Sequence, residues 1–343
     1  MKALITGGAG FIGTHLTERL LDLGHEVVIV DDLSTGRPGN IAHLTGRAGL
    51  GFVHGSIMDA PLMEKLTGRA DTVFHLAAAV GVKLIVEDPL RSLRTNLRGT
   101  ENVLDAASTS GARVLLASTS EVYGKNPSDA LSEGDDRVLG SPLKSRWSYA
   151  QAKAIDETLT YLYWKQKQLP AVIVRPFNVV GPRQTGRYGM VIPRFVGQAL
   201  RGEPLTVYGD GRQTRCFCHV AEVVDALIDL VQHREAYGQV FNLGRAEEVS
   251  IRDLAQRVIE LCGSHAPIRY VPYVDAYPEG FEDMQRRMPD ISRARELVGF
   301  DPKIGLDEIL RSVIGEHAAA PPATSGTPDV ETPEATALRA GAA

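Results

Sequence analysis

Tyr149 and Lys153 stand four residues apart in Tyr149-Ala150-Gln151-Ala152-Lys153. On a helix that spacing puts both side chains on one face. An ammonium beside a phenol favours the phenolate. Tyr149 would then serve as a general base near neutral pH. A hydroxyl-rich segment, Ser118-Thr119-Ser120, precedes the pair and could orient a substrate alcohol. A Tyr/Lys pair at this spacing also arises on any exposed amphipathic helix, so its weight depends on what accompanies it.

What accompanies it is Gly7-Gly8-Ala9-Gly10-Phe11-Ile12-Gly13, with glycines at 7, 10 and 13. In such a loop glycine permits a tight turn, close approach of backbone to a pyrophosphate, and close packing of helix on strand. The N–H groups at the start of the following helix then face the phosphates. A structural β-α turn gives the same glycines, so the context decides. That context includes Asp31, which closes an apolar run about twenty residues on, where an acid binds the adenosine ribose hydroxyls. A carboxylate there repels a 2′-phosphate, which favours NAD over NADP. Arg37 argues the other way but stands outside the strand-end position, and Asp32 reads as a turn residue before Ser34-Thr35-Gly36.

These residues need a scaffold. Ala3–Thr6, Glu26–Asp31, Gly51–Gly55, Val73–Ala77, Arg113–Ser118 and Ala171–Arg175 are short apolar runs without strict alternation. Such runs suit a parallel sheet covered on both faces. Amphipathic stretches at Thr14–Leu23 and Asn96–Thr109 lie between them. The alternation predicts an α/β fold, a Rossmann-type doubly wound parallel sheet. Further on, helices are expected at Val191–Arg201, His219–Gln232 and Ser250–Leu261, with strands at Leu205–Tyr208 and Gln239–Leu243. Ser250 and Asp253 form a capping-box variant. This portion reads as a smaller mixed α/β lobe. From about Glu316 the chain turns Ala-, Pro- and Thr-rich, and such a tail buries too little apolar surface to order.

Composition limits the partners. Lys and Arg total 37 against 42 Asp and Glu, a net charge of -5, which gives no basic footprint for nucleic acid. The 43% of hydrophobic residues is enough for a full core. Cys216, Cys218 and Cys262 are an odd, sparse set that fits a reducing compartment. Cys216-Phe217-Cys218-His219 lacks a second ligand cluster, so no metal is expected. An i, i+2 spacing on one strand would put both thiols on one face. The N-terminus lacks the apolar stretch of a signal peptide, and no apolar run reaches the ~20 residues of a membrane span. A cytoplasmic protein without membrane contact is expected.

Taken together the motifs resemble the extended short-chain dehydrogenase/reductase family, in particular its nucleotide-sugar epimerases, dehydratases and decarboxylases. The resemblance spans roughly residues 1–312. It rests on Gly7–Gly13, His75-Leu76-Ala77-Ala78, Asn96, Ser118–Gly124, Tyr149/Lys153, Arg175-Pro176-Phe177-Asn178, Gly181-Pro182-Arg183 and Tyr208-Gly209-Asp210-Gly211. It implies oxidation of a sugar C4 hydroxyl by hydride transfer to tightly held NAD, alteration of the 4-keto sugar, and return of the hydride. Cofactor contacts are implied at Gly7, Gly10, Phe11, Ile12, Gly13, Asp31, Ile57, Leu76, Ala77, Ala78 and Asn96, beside Tyr149 and Lys153. Ser56 departs from the acid that often precedes the position of Ile57 and binds adenine. Substrate contacts are implied at Asn178 (diphosphate), Tyr208 (uracil stacking), Arg187, Arg215 and Arg287; guanidinium pairs bidentately with phosphate or carboxylate. The implied organisation is an NAD-binding domain over 1–180, with 212–245 returning to it. A nucleotide-sugar lobe over 181–315 and the tail over 316–343 complete it. The resemblance also implies a homodimer through helices around Asn96–Thr109 and Tyr149–Lys167, for which Leu159, Leu162 and Tyr163 offer an apolar face.

Thr119-Ser120-Glu121 separates the branches. Dehydratases of this kind carry Asp-Glu after the threonine, and typical 4-epimerases carry small or hydroxylated residues at both positions. UDP-glucuronate decarboxylases carry Ser-Glu, as here. Arg146-Trp147-Ser148-Tyr149, Arg215-Cys216-Phe217 and Gly280-Phe281-Glu282-Asp283 with Arg287-Met288-Pro289 resemble the same branch. Ala79-Val80-Gly81-Val82-Lys83 departs from its proline-containing loop. The expected sequence is C4 oxidation with Tyr149 as base, then loss of CO2 from the β-keto acid, with Arg215 and Ser120 holding the carboxylate. Glu121 would position the sugar or a proton donor, and returned hydride would give UDP-xylose. A UDP-hexose or UDP-glucuronate 4-epimerase is the principal alternative. A 4,6-dehydratase or a non-catalytic NAD-binding protein stands behind it.

Overall fold

The computed structural model describes residues 1–79, 88–144, 147–186, 190–276, 284 and 286–319. Its strands are β1 (Lys2–Thr6), β2 (Glu26–Asp31), β3 (Leu50–His54), β4 (Thr72–His75), β5 (Arg113–Ala117), β6 (Ala171–Pro176), β7 (Val179–Val180), β8 (Leu205–Tyr208), β9 (Thr214–Cys216), β10 (Cys218–His219), β11 (Val240–Leu243), β12 (Glu248–Ser250) and β13 (Ile268–Val271). Its helices are α1 (Phe11–Asp22), α2 (Pro38–Ile41), α3 (Ala60–Thr67), α4 (Pro89–Ser110), α5 (Ser148–Lys167), α6 (Val191–Leu200), α7 (Val220–Gln232), α8 (Ile251–Cys262), α9 (Tyr273–Ala276), α10 (Ser292–Val298) and α11 (Leu306–Ala319).

Seven strands form one sheet in the order β11-β6-β5-β4-β1-β2-β3, with every pairing parallel. Alternate residues along each strand feed opposite faces. Ala3 and Ile5 pack with Val27, Ile29 and Phe74 against α1 and α7, while Leu4 packs with Val30 and Val73 against α3 and α4. Both faces are therefore covered, which is why the strands read as unbroken apolar runs. The strand order reverses between β1 and β4, and ligands of such sheets bind in the crevice at that reversal. A separate apolar core joins α6, β8, α8 and α11 through Phe195, Val207, Leu254 and Leu310.

Several elements differ from expectation for local reasons. Strand β4 stops at His75 because the Ala77 N–H donates to Thr6 Oγ1 at 3.1 Å and leaves the ladder. Helix α4 begins at Pro89 instead of Asn96, capped by Asp88, whose side chain accepts from the Arg91 N–H. Pro at the first position suits a helix start. Ser250 caps α8, accepting from the Asp253 N–H at 3.0 Å and donating to Asp253 Oδ2 at 2.6 Å. Cys216 and Cys218 fall on separate strands in different sheets, with Phe217 at the break. Both thiols are buried, and burial pushes each pKa up, that of Cys216 to about 12. Helix α11 continues through Ala319, past Glu316, whose carboxylate accepts the Arg183 N–H. The rest of the expected tail lies outside the described residues. Among the described residues no helix is long and apolar enough to cross a membrane.

Candidate active site

The glycine loop leaves β1 at the reversal point. Gly7 adopts φ +74, and a Cβ there would stand 2.8 Å from Ala77 N. A Cβ at Gly13 would stand 2.3 Å from Gly7 O and 2.7 Å from Gly8 Cα. Only glycine leaves this cradle open. Helix α1 follows directly, with Phe11 and Ile12 in its first turn, no side-chain cap at Gly10 and no acidic residue in that turn. Its N–H groups are thus available to an anion, as a dinucleotide's pyrophosphate requires. Asp31 ends β2, is buried, and accepts the Ala9 N–H at 2.9 Å and the Leu33 N–H at 2.8 Å. Burial raises its pKa, against the pull of those two N–H groups. A carboxylate has about four lone-pair sites, so two remain for a ribose. Arg37 turns away and donates to Thr185 Oγ1 at 2.8 Å.

The segment after β4 forms the facing wall. Asn96 is buried on α4, where Oδ1 accepts the Ala79 N–H at 2.8 Å, and Ser92 Oγ donates to Ala79 O at 3.0 Å. Leu76, Ala77 and Ala78 are held between that anchor and Thr6. Ile57 fits the notch at Gly99, where a Cβ would stand 2.2 Å from its Cδ1, so its side chain faces α4.

Tyr149 lies in the first turn of α5 and Lys153 one turn later, both buried. The spacing brings them to one face, where further charges also act. Lys153 Nζ donates to Asp156 Oδ2 at 3.2 Å. Burial, then Glu121 and Asp156, push the Tyr149 hydroxyl well above the usual phenol range. The lysine's charge is held by the next carboxylate along the helix, and the charges of Glu121 and Asp156 both act on the phenol.

Thr119 caps a short turn, Ser120–Tyr123, that brings Ser120 and Glu121 to the same place; its Oγ1 accepts the Glu121 N–H at 3.2 Å. The guanidinium closing on Glu121 is Arg287, 3.9 Å from Nη1 to Oε1. Arg287 Nη2 also donates to Asn178 Oδ1 at 2.6 Å. Asn178 holds φ +36 and donates through Nδ2 to Cys216 O at 2.8 Å, which ties the link between β6 and β7 to β9. Asn178, Arg287 and Glu121 thus form one connected group, and the charge of Glu121 acts on Tyr149.

A nucleotide cradle, a buried Tyr/Lys pair and a Ser-Glu turn converge at the carboxyl ends of a parallel sheet. The family of NAD-dependent epimerases and dehydratases matches residues 3–244. The chain belongs to this family. NAD is its cofactor, and the cradle just described fits it. Among its relatives, a UDP-N-acetyl-alpha-D-glucosaminuronate decarboxylase of Bacillus cytotoxicus is 44% identical over 91% of this chain and 96% of its own. UDP-glucuronic acid decarboxylase 1 of Danio rerio is 38% identical over 91% of this chain and 72% of its own. Among solved structures, a Bacillus cereus UDP-glucuronic acid 4-epimerase, in complex with UDP-glucuronic acid and NAD, superposes with TM-score 0.83. It shares 31% identity over 92% of this chain and 98% of its own.

For this family member the substrate-side residues divide. Tyr208 ends β8, and Arg194 lies 4.4 Å over its ring, a neighbour that spacing in the sequence did not show. Arg215 sits on β9, is buried, and donates to Thr214 O at 2.8 Å. Arg187 lies outside the described residues, as do Val80–Lys83, Arg146 and Gly280–Asp283. Sequence reasoning also missed Asp156 and a second buried network. Arg175 grips Glu157 at 2.8 and 2.7 Å, and Ser118 Oγ donates to Glu157 Oε1 at 2.5 Å. The i, i+3 spacing of Lys153 and Asp156 was the signal available for Asp156.

Proposed function

We propose that this chain is an NAD-dependent UDP-hexuronate decarboxylase, acting on UDP-glucuronate to give UDP-xylose and CO2. The observation carrying this reading is Glu121, set in the Thr119–Ser120–Glu121 turn and paired with Arg287, with its charge acting on Tyr149. A 4-epimerase needs chemistry only at C4 and gives such a carboxylate–guanidinium pair no task. Tyr149 takes the C4 hydroxyl proton, with Thr119 and Ser120 aligning the hydroxyl. NAD, when bound, accepts the hydride and later returns it. The resulting 4-keto group lies β to the C5 carboxylate, so the electrons of the breaking C–C bond pass into the ketone as CO2 leaves. Arg287 joins Ser120 and Arg215 as a residue that holds the departing carboxylate, and Glu121 positions Arg287 and the donor that reprotonates C5. Asn178 and Tyr208 serve the nucleotide end, with Arg187 assigned there from sequence alone.

The 44% identity to a decarboxylase named for the N-acetylated uronate supports a second substrate, UDP-2-acetamido-glucuronate. Purified protein incubated with each UDP-uronate should release CO2 and a UDP-pentose, and the ratio of kcat/KM values ranks the two. UDP-galacturonate as the product, without CO2, would refute decarboxylation and establish 4-epimerisation.

The lobes divide as NAD-binding over 1–180 with 212–245, and nucleotide-sugar-binding over 181–315. A homodimer through α4 and α5 is supported by Ile155, Tyr161 and Leu162, which are exposed, whereas Leu159 and Tyr163 pack inward. Three free cysteines suit the reducing cytoplasm.

A further inference from the structure

The segment that carries Arg287 is tied to β9 twice. Arg287 Nη2 donates to Asn178, whose Nδ2 donates to Cys216 O. The residue before it, Arg286, closes on Glu248 of β12. Arg286 Nε donates to both carboxylate oxygens at 2.9 Å, and Nη2 to Oε2 at 2.7 Å. Glu248 Oε1 also accepts the Thr214 hydroxyl of β9 at 2.7 Å. Arg286 Nη1 reaches the other way and donates to Asp129 Oδ1 at 2.6 Å. Leu131, on the same loop as Asp129, donates its N–H to Met288 O at 2.8 Å and accepts the Asp290 N–H at 2.9 Å.

The two ties meet β9 at Thr214 and at Cys216, on either side of Arg215. The supports of Arg287 therefore bracket the other arginine of the carboxylate site. β12 pairs antiparallel with β9, which sets Glu248 opposite Cys216 and Val249 opposite Arg215. Side chains alternate along a strand, so Thr214, Cys216 and Glu248 share one face of this ribbon and Arg215 projects from the other. Glu248 can thus hold Arg286 without standing beside Arg215, where it would repel an anionic ligand. A guanidinium fork on a carboxylate fixes direction as well as distance. Arg286 is 40% exposed, and ion pairs so open to water add little stability. The clasp suits placement better than it suits stability.

We propose that Glu248, acting through Arg286, is a positioning residue that sets Arg287 against Arg215 and so gives the site its preference for a sugar bearing a carboxylate over a neutral hexose. Two guanidinium groups that converge on one anion repel each other before it arrives, so each needs a holder that keeps it in place. Arg215 has its strand, and Arg287 has the clasp at the preceding residue. Without the clasp Arg287 keeps Asn178 and the pairing of Met288 and Asp290 with Leu131, so the chain stays folded while the guanidinium loses its fixed position. That the carboxylate is the uronate of a UDP-sugar rests on the decarboxylase reading.

Calorimetry on protein carrying NADH, on which C4 oxidation cannot begin, reads binding without turnover; the probes are UDP-glucuronate and UDP-glucose. The unaltered protein should prefer UDP-glucuronate. Glu248→Gln and Arg286→Met should each cut that preference by about 10- to 100-fold, the worth of one charged hydrogen bond to the ligand, with UDP-glucose affinity unchanged. Arg286→Lys should restore part of it. The double variant should lose no more than either single variant, because both changes break one contact. No preference in the unaltered protein, an unchanged preference in both single variants, equal weakening of both ligands, or additive losses in the double variant overturns the proposal. CO2 release by the unaltered protein tests the decarboxylase reading separately. No CO2 from any UDP-uronate, with the preference still lost in the variants, defeats that reading and keeps the clasp. CO2 release with the preference unchanged in the variants defeats the clasp alone.

Discussion

Glu121→Gln separates the two halves of the reaction. Arg287 Nη1 and Glu121 Oε1 are 3.9 Å apart. At an effective dielectric constant of about 20 their attraction is about 4 kcal/mol. Desolvation offsets much of it, since at 3.9 Å the contact is an ion pair without a hydrogen bond. Glutamine keeps the shape and loses the charge, so Arg287 should be misplaced at the step where the carboxylate departs. The expected fall in CO2 release is about 10- to 100-fold in kcat. C4 oxidation should respond in the opposite sense. Glu121 is one of the carboxylates that push the Tyr149 hydroxyl up, so removing it moves the rising limb of the oxidation step to lower pH. Rapid-quench measurement of CO2 beside stopped-flow detection of NADH should therefore show faster or equal reduction of bound NAD below neutral pH, followed by slow decarboxylation. Wild-type CO2 release across the pH range would remove Glu121 from the mechanism. Equal slowing of both steps would show that it acts only on substrate placement.

Tyr149→Phe should reduce C4 oxidation by about 10²- to 10⁴-fold, the usual loss of a general base, while the purified protein keeps its NAD content. Gly13→Ala would force a Cβ to 2.3 Å from Gly7 O, so α1 must shift by about 1 Å to restore contact; NAD titration should show weakened binding with urea stability reduced by about 1–3 kcal/mol. Arg175→Met leaves the Glu157 carboxylate buried without its guanidinium, and urea unfolding should show a loss of about 3–5 kcal/mol.

The sheet was legible because burial on both faces leaves a plain mark. Glu26–Asp31 and Leu205–Tyr208 fall where their apolar residues put them. The short pairings β7–β10, β9–β12 and β8–β13 were less visible. Two- and three-residue strands carry no periodicity, and β12 meets β9 only because the chain returns across the sheet. At the site, Gly7–Gly13, Tyr149 and Lys153 were readable because each rests on local spacing. The contact of Arg287 with Glu121 was not, since it joins residues far apart in the chain by tertiary packing alone. The influence of Glu121 on Tyr149 was not legible for a related reason. A two-residue motif names the ammonium, whereas the phenol responds to every charge near it, and Glu121 arrives from a different element.

Helix α5 carries its reactive residues between two buried polar networks, and this arrangement has an energetic logic. Lys153 and Glu157 are four residues apart, so they leave neighbouring turns of one face. Lys153 is tied to Asp156 one turn on, and Glu157 is tied through Arg175 and Ser118 to β6 and the end of β5. An apolar core would have packed α5 with less desolvation penalty, since buried ion pairs are weak sources of stability. Hydrogen bonds, unlike apolar contacts, fix direction as well as distance, and a general base must be placed to within a fraction of an ångström. The Glu157 network holds the strand end that carries Ser118-Thr119-Ser120, while Asp156 holds Lys153. In the proposed reaction Tyr149 would therefore meet the substrate hydroxyl from a helix held at both turns. On this argument Glu157→Gln and Asp156→Asn each break a buried ion pair and should both lower the unfolding midpoint, whereas only Asp156→Asn should shift the pH limb. The reverse pattern would show that the two networks have their roles exchanged.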